Sequence, residues 1–546
     1  MQNKFYLLGY IALFFLSGCT GLPLNSNDYP VPKEISKGTK EYNDMIKKHE
    51  KEIKNHVIAI GRDGDLRSPL TGKEMPSSQY EDDYFINIVE NIKEYVRKKT
   101  GGAPELLIYI HGGLNSEGGA LQRALNNYQL IKNSGKYPIF INWRSGPATT
   151  YLAHLWRIRQ GEKSDTALMT SPVYLATDVG KSIINAPKAW LVSGEHLIRS
   201  LNKDKITTDL DSQIKFHNDS HPDLVTLTEG KGRSNFFRHL QWAATSPFKI
   251  VTTPFTYTMS KPAWDIMLRR TNTLFYTPCD LKKTPKDSHC DISPEMEGNE
   301  KSSAGIELKS GNGALYRFLS ALEQDDEASK VKITLIGHSM GAIVVNDIIN
   351  LGLNLTYKNI VHMASADSIE NFLNKVVPYI DCSLEKNKES ACNNGVPVKF
   401  YSLYLHPDNE NREVSAEGFT PSGSLLTWID GMFTIPKTVL DKRSGRWDNM
   451  TRAIELIPPV GERSEKQNDI KEQMSFTIFN TEERKAYSPD GLSKLGINIA
   501  PQDYGKNGKV KCLYSTAQKH GDFGDLPFWL QEVWEGSHPT AQGVCK

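Results

Sequence analysis

Serine chemistry is the first thing these residues offer. In Gly337-His338-Ser339-Met340-Gly341 a serine has a glycine two positions before it and another two positions after it. The run follows Val331-Lys332-Ile333-Thr334-Leu335-Ile336, whose alternation and β-branching predict a strand. It precedes Ala342-Ile343-Val344-Val345-Asn346-Asp347-Ile348-Ile349, which has helical spacing. A serine hydroxyl is a weak nucleophile until a base removes its proton. A sharp strand-to-helix turn holds such a hydroxyl where a base can reach it, and the crowding of that turn admits only small flanking residues. The pentapeptide alone is a common accident; the strand before it and the helix after it make it specific.

This arrangement resembles the nucleophile elbow of the α/β-hydrolase superfamily. The resemblance implies an α/β fold with a mostly parallel central sheet flanked by helices. It also implies three further parts in a fixed chain order: an oxyanion loop before the serine, an acid after it and a histidine last. Upstream, the apolar run Leu106-Leu107-Ile108-Tyr109-Ile110 predicts a buried strand and ends in His111-Gly112-Gly113-Leu114-Asn115, similar to the family's HGG-type loop. The likeness implies that an N–H near Gly113 or Leu114 acts with the N–H of Met340 on a developing oxyanion. His111 precedes the serine and is read as structural.

Near the C-terminus, a strand over 509–514 leads to Gln518-Lys519-His520-Gly521-Asp522. His520 takes the place of the general base, with His538 as its competitor. For the acid, the strand over 398–405 is the second after the serine and is followed by Asp408, where the family usually carries its carboxylate. The first such strand, over 360–364, is followed by Asp367, which some relatives use instead. Asp408 is favoured, Asp367 is the alternative acid and Glu410 comes third. That carboxylate orients the imidazole and stabilises its protonated form.

The N-terminus addresses location. One lysine in residues 1–4 is followed by a mostly apolar stretch over 5–16 and then Leu16-Ser17-Gly18-Cys19. The stretch is short for a membrane span and has the layout of a secretory signal. Its last four residues resemble the bacterial lipobox, which implies removal of residues 1–18 and lipidation (palmitate included) of Cys19. Thr20 follows in place of the aspartate that often retains enteric lipoproteins in the inner membrane, so outer-membrane attachment is expected for a Gram-negative source. Six further cysteines allow fifteen pairings. Cys279 with Cys290 and Cys382 with Cys392 are close in sequence, which leaves Cys512 with Cys545, and an even count in an exported chain favours disulfides.

Loss of residues 1–18 removes one of 65 basic residues and none of 64 acidic ones, leaving a formal net charge of zero. That argues against electrostatic capture of nucleic acid and against long-range attraction to an anionic membrane surface, so membrane association is expected through the lipid. No spacing suggests a metal site, and the serine route needs no cofactor. The expected organisation is a signal over 1–18, a tether over 19–38 and the first part of the core over 39–143. A cap or lid insertion follows over 144–310, then the core with the elbow over 311–408, a second insertion over 409–507 and a C-terminal core over 508–546. The apolar helices of the first insertion are expected either to shape an acyl pocket or to bury one another. Taken together, these readings lead to the expectation of a membrane-anchored esterase- or lipase-like serine hydrolase. A phospholipase or acyltransferase acting on envelope lipids, and a non-catalytic envelope scaffold, are the alternatives. The resemblance covers about half of the chain and leaves the substrate open.

Overall fold

The computed structural model describes residues 39–75, 78–99, 102–113, 115–159, 162–201, 203–220, 224–227, 236–276, 312–385, 392–413, 423–457, 469–479, 486–487, 513–514, 517, 519–524, 529 and 531–534. Helices α1 (Lys40–Lys48) and α2 (Glu50–His56) precede strand β1 (Val57–Ile60) and its antiparallel neighbour β2 (Leu66–Arg67). Helix α3 (Ser78–Lys98), β3 (Glu105–Ile110), α4 (Glu117–Asn133) and β4 (Lys136–Trp143) then alternate. The first insertion supplies α5 (Pro147–Trp156), the ribbon β5 (Ile158–Arg159) and β6 (Glu162–Lys163), α6 (Ala167–Ile184), α7 (Ala186–Leu201), α8 (Lys203–Ser220), β7 (Val225–Leu227) and the long α9 (Phe236–Thr273). The core resumes with α10 (Ala314–Gln324), β8 (Lys332–His338), α11 (Gly341–Ile349), β9 (Thr356–Met363), α12 (Val377–Ser383), β10 (Lys399–Leu405) and α13 (Pro407–Arg412). Strand β11 (Met474–Phe479) and the two-residue β12 (Ala486–Tyr487) and β13 (Leu513–Tyr514) complete the chain.

Nine strands form one sheet in the order β2-β1-β4-β3-β8-β9-β10-β11-β7, parallel except for the β1–β2 pair. The expected α/β class, with a mostly parallel sheet and helical insertions, is the observed one. Helices on both faces explain the composition of the central strands. In β3 and β8 every residue after the first is buried, so both faces of each strand must be uncharged, and runs such as Leu106-Leu107-Ile108 satisfy that. Helix α10 turns Leu315, Phe318, Leu319 and Leu322 into the core at helical spacing.

The order of the strands fixes where a site can form. After β3 the chain adds β4 on one side, then returns to lay β8 on the other side and grows outward through β9, β10 and β11. The connections therefore diverge at β3, which opens a crevice at the carboxyl ends of β3 and β8. In register, Ile110 of β3 lies beside Gly337 of β8, so the two glycine-bearing turns meet at that crevice.

Three features depart from the sequence reading. The stretch 144–310 contributes an edge strand, β7, to the central sheet. Strand β11, inside the stretch read as a second insertion, pairs along all of its length with β10. Of the strand expected over 509–514, the described residues Leu513–Tyr514 pair with Ala486–Tyr487 outside the central sheet. The C-terminal chain is held instead by aromatic contacts: Trp529 stacks on Tyr109 at 3.8 Å between centroids, and Phe523 packs on Phe479. Cys382 and Cys392 are disulfide-bonded. Cys19, Cys279, Cys290, Cys512, Cys545, His538 and Leu114 lie outside the described residues.

Candidate active site

Ser339 follows the last residue of β8 with φ 54°, a left-handed backbone that non-glycine residues seldom adopt. Such a conformation costs on the order of 1–3 kcal/mol and persists only where the surroundings enforce it. They do so here. The Ser339 N–H donates to the Met363 carbonyl at 2.8 Å, and the Ala366 N–H donates to the Ser339 carbonyl at 3.0 Å, so the end of β9 grips the elbow from both sides. The two glycines permit the approach. A Cβ on Gly337 would lie 2.6 Å from the backbone of Ala342, and one on Gly341 would lie 2.1 Å from the Ile110 carbonyl oxygen. Helix α11 is thereby pressed against its own strand and against β3.

The loop after β3 covers the elbow. A Cβ on Gly112 would sit 2.7 Å from Ser339 Cβ, and one on Gly113 would meet Met340 Sδ. The Gly112 carbonyl accepts from three side chains: His111 Nδ1 at 2.8 Å, Asn115 Nδ2 at 2.8 Å and Ser145 Oγ at 3.2 Å. A trans peptide holds its C=O and N–H on opposite edges, so fixing that carbonyl turns the Gly113 N–H away from those donors. Neither the Gly113 N–H nor the Met340 N–H has an acceptor among the described residues. Arg123 completes the frame by donating to Asn115 Oδ1 at 3.2 Å, which sets the amide orientation.

His111 serves this frame. The Trp143 N–H donates to its Nε2 at 3.2 Å, so the proton resides on Nδ1 and goes to Gly112. Burial pushes its pKa down to about 4, and the ring stays neutral. That agrees with a structural role.

His520 opens a short turn, His520–Gly524, beside the elbow. His338, the residue before the serine, donates from Nε2 to the His520 carbonyl at 3.0 Å, and the two rings lie 5.1 Å apart. The His520 N–H donates to Glu413 Oε2 at 2.8 Å, a tie across 107 positions. Burial pushes the His520 pKa down to about 4. It raises that of Glu413 to about 8, against the opposing pull of the His520 N–H. Ser339 Oγ and both imidazole nitrogens of His520 are buried and have no hydrogen-bond partner among the described residues. The structure thus brings Ser339, Met340, Gly113 and His520 to one crevice, with the serine–imidazole hydrogen bond still open.

The acids separate by their surroundings. Asp408 is buried at the start of α13, directly after β10, and its N–H donates to His406 Nδ1 at 3.1 Å. Asp367 accepts from Asn346 Nδ2 at 2.7 Å, and from Ser368 N–H and Asn371 Nδ2 at 2.8 Å each. Those contacts tie Asp367 to α11 and to the turn that follows β9, and none is to histidine. Glu410 accepts from Ser424 Oγ, and burial raises its pKa to about 7. Sequence reading missed His338, Glu413, Asn115 and Ser145 as parts of this site. His338 and Asn115 carried a signal, their places inside the pentapeptide and the glycine loop.

Ser339 is only 1% exposed. Part of its cover comes from α9, whose Met267 approaches Gly113. The buried Arg270 on the same helix fastens it by donating to the Arg144 and Thr149 carbonyls at 2.8 and 3.0 Å. The chain matches no protein-family model, no curated protein and no solved structure.

Two outcomes follow from this packing. Gly341→Ala places a methyl group against a carbonyl that cannot yield, and should destabilise the fold by about 4 kcal/mol or more. Gly521→Ala, which meets nothing within 4 Å, should melt like the parent chain; equal melting of both variants would refute the close approach. The second outcome concerns acid. The pKa values of His56, His111 and His520 are pushed down to about 4, that of His362 to about 3, and that of His338 well below 6.5, in each case chiefly by burial. The unfolded chain then takes up these protons first, so stability falls as pH drops from 6.5 towards 4. Glu410 and Glu413, raised to about 7 and about 8, act in the opposite direction. The five histidines outnumber these two acids, so a net loss of stability is expected between pH 6 and 5. Denaturant titrations at pH 7, 6 and 5 should show that fall, and a flat profile would contradict it.

Proposed function

We propose that the chain is an exported, lipid-anchored serine hydrolase that cleaves carboxylic esters through an acyl-enzyme, with Ser339 as nucleophile, His520 as general base and Asp408 as the acid. The observation that carries this reading is the left-handed Ser339 at the crevice between β3 and β8, under the Gly113 loop, with neither its hydroxyl nor the Gly113 N–H paired among the described residues. The sheet order, the elbow and the late histidine support membership of the α/β-hydrolase superfamily. The lipobox-like Leu16-Ser17-Gly18-Cys19 supports attachment to a bacterial membrane, the outer one in a Gram-negative source.

In the proposed reaction, neutral His520 takes the Ser339 proton as Oγ bonds to the ester carbonyl carbon. The carbonyl oxygen, now anionic, is held by the N–H groups of Gly113 and Met340. The carbon–alkoxide bond breaks, and the alcohol leaves with the proton from His520. Water then repeats the sequence: its proton goes to His520, its oxygen bonds to the acyl carbon, and Ser339 leaves with that proton. A second alcohol in place of water would give acyl transfer. An acid just after β10 would stabilise the imidazolium, and Asp408 lies there, in the first turn of α13. Glu413 already holds the histidine's backbone. The buried, weakly charged surroundings of Ser339 suit an uncharged acyl ester. The unmade serine–imidazole hydrogen bond keeps a second reading alive, a silent scaffold lipoprotein of the envelope.

Fluorophosphonate labelling and hydrolysis of an activated ester test the reading, each with and without detergent micelles because Ser339 is covered. Ser339→Ala and His520→Ala should each lose at least about 10³-fold in kcat. Asp408→Asn should lose about 10²-fold or more, and Asp367→Asn little. Asn115→Ala should lower kcat roughly tenfold with KM nearly unchanged, since it loosens the peptide that presents the Gly113 N–H. Because His520 is held neutral well below 6.5, activity should persist to about pH 5. A folded parent chain that is neither labelled nor active in either condition would favour the silent scaffold.

A further inference from the structure

Helix α6 is turned inside out. Its buried stripe is Ala167, Ser171, Asp178 and Ser182, small or polar residues at spacings of four and seven. That stripe is satisfied from within the protein: Ser171 Oγ donates to the Leu155 carbonyl at 2.6 Å and Tyr151 Oη donates to Asp178 Oδ2 at 3.0 Å. The outer face carries Leu168, Met169, Val173, Ile183 and Ile184, joined by Leu191 of α7, and these six are 66% to 82% exposed. An amphipathic helix on a globular body in water has the opposite arrangement. These six residues do not bury one another, since each is exposed.

We propose that this face of α6 and α7 docks on the surface of an anionic phospholipid bilayer. Four observations favour lipid. Between Ala167 and Gly194 the exposed ionisable side chains are Lys181 and Lys188, both cationic, while the one acid, Asp178, is buried on the opposite side; that pattern complements anionic headgroups. Trp156 and Trp190, aromatic residues of the kind that sit at headgroup depth, are 52% and 44% exposed beside the patch. Among the described residues no helix is long and apolar enough to cross a membrane, so the face would lie in the interface. Finally, the first described residue, Thr39, lies 20 positions after Cys19, and such a length can span at most roughly 70 Å, which keeps the body at the bilayer. This last argument rests on the lipid-anchor reading above; the first three do not. Helix α6 packs on α5 and α9, and α9 carries Met267 to the Gly113 loop, so the docking face belongs to the layer that covers Ser339. Docked in this way, the site would draw its acyl esters from membrane lipid.

The mature chain from residue 19, which contains every described element, can be made with Cys19→Ser so that no lipid is attached. Floated with phosphatidylethanolamine–phosphatidylglycerol vesicles, this protein should rise with the lipid. Its Met169→Asp/Ile183→Asp/Ile184→Asp variant should bind roughly tenfold more weakly or less. Lys181→Glu/Lys188→Glu should lose binding at low salt, which keeps the test decisive if the triple variant does not fold. Ser339→Ala should float like the parent, which separates docking from catalysis. The mass of the N-terminal peptide from the membrane-bound protein reads the Cys19 anchor independently. No flotation of the parent, or undiminished flotation of the folded aspartate variant, would overturn the proposal. So would a parent dimer in solution that the aspartate changes convert to monomer, since a second copy would then cover the face.

Discussion

The contact between Gly341 and the Ile110 carbonyl is the constraint from which the rest of the site follows. With no Cβ at Gly341, the first turn of α11 presses against the end of β3, where even a methyl group would overlap the oxygen. The chain between β8 and α11 must then reverse within one residue, and that residue is Ser339, held left-handed at φ 54°. The cost of that conformation is met locally by the hydrogen bonds of Ser339 N–H and C=O to the chain at and just after the end of β9. The same closeness lays Gly112 against the serine Cβ, so the Ser339 turn and the glycine loop after β3 are assembled by one packing event. Topology decides where this occurs, at the one place in the sheet where successive connections diverge.

Around that point the protein builds a nearly uncharged interior. His111, His338 and His520 are held neutral by burial, and Glu410 and Glu413 are pushed towards their protonated forms. Positions are set chiefly by hydrogen bonds to backbone groups: three side chains on the Gly112 carbonyl, His338 on the His520 carbonyl and Glu413 on the His520 N–H. Burial of this kind disfavours a charged form of the imidazole. With Met267 and Arg270 fixing α9 above it, the serine is closed to solvent.

Much of the sheet was legible because buried parallel strands have few sequence solutions. Runs such as Leu106-Leu107-Ile108-Tyr109-Ile110 can hardly be anything else, and paired glycines around a serine announce close backbone contact. The short β7 and the polar-interrupted β11 carried no comparable signal, since their strand character comes from the neighbours they pair with. Residues 509–514 looked like a strand locally, yet their described part pairs in a separate two-stranded ribbon. The candidate serine and histidine could be picked from spacing and chain order. Glu413 could not, because a bond across 107 residues leaves no trace in local pattern. The apolar residues of α6 were visible as well, but their direction was not. Periodicity reports a stripe and is silent about whether that stripe faces protein or solvent.

The proposed acyl-enzyme is tested by the mass of the protein quenched with acid during turnover of an activated ester, with the modified peptide then sequenced. One acyl group, carried on Ser339, should accumulate in the parent chain and be absent from Ser339→Ala. Turnover of the ester with no acyl adduct, or with the adduct on another residue, would contradict it.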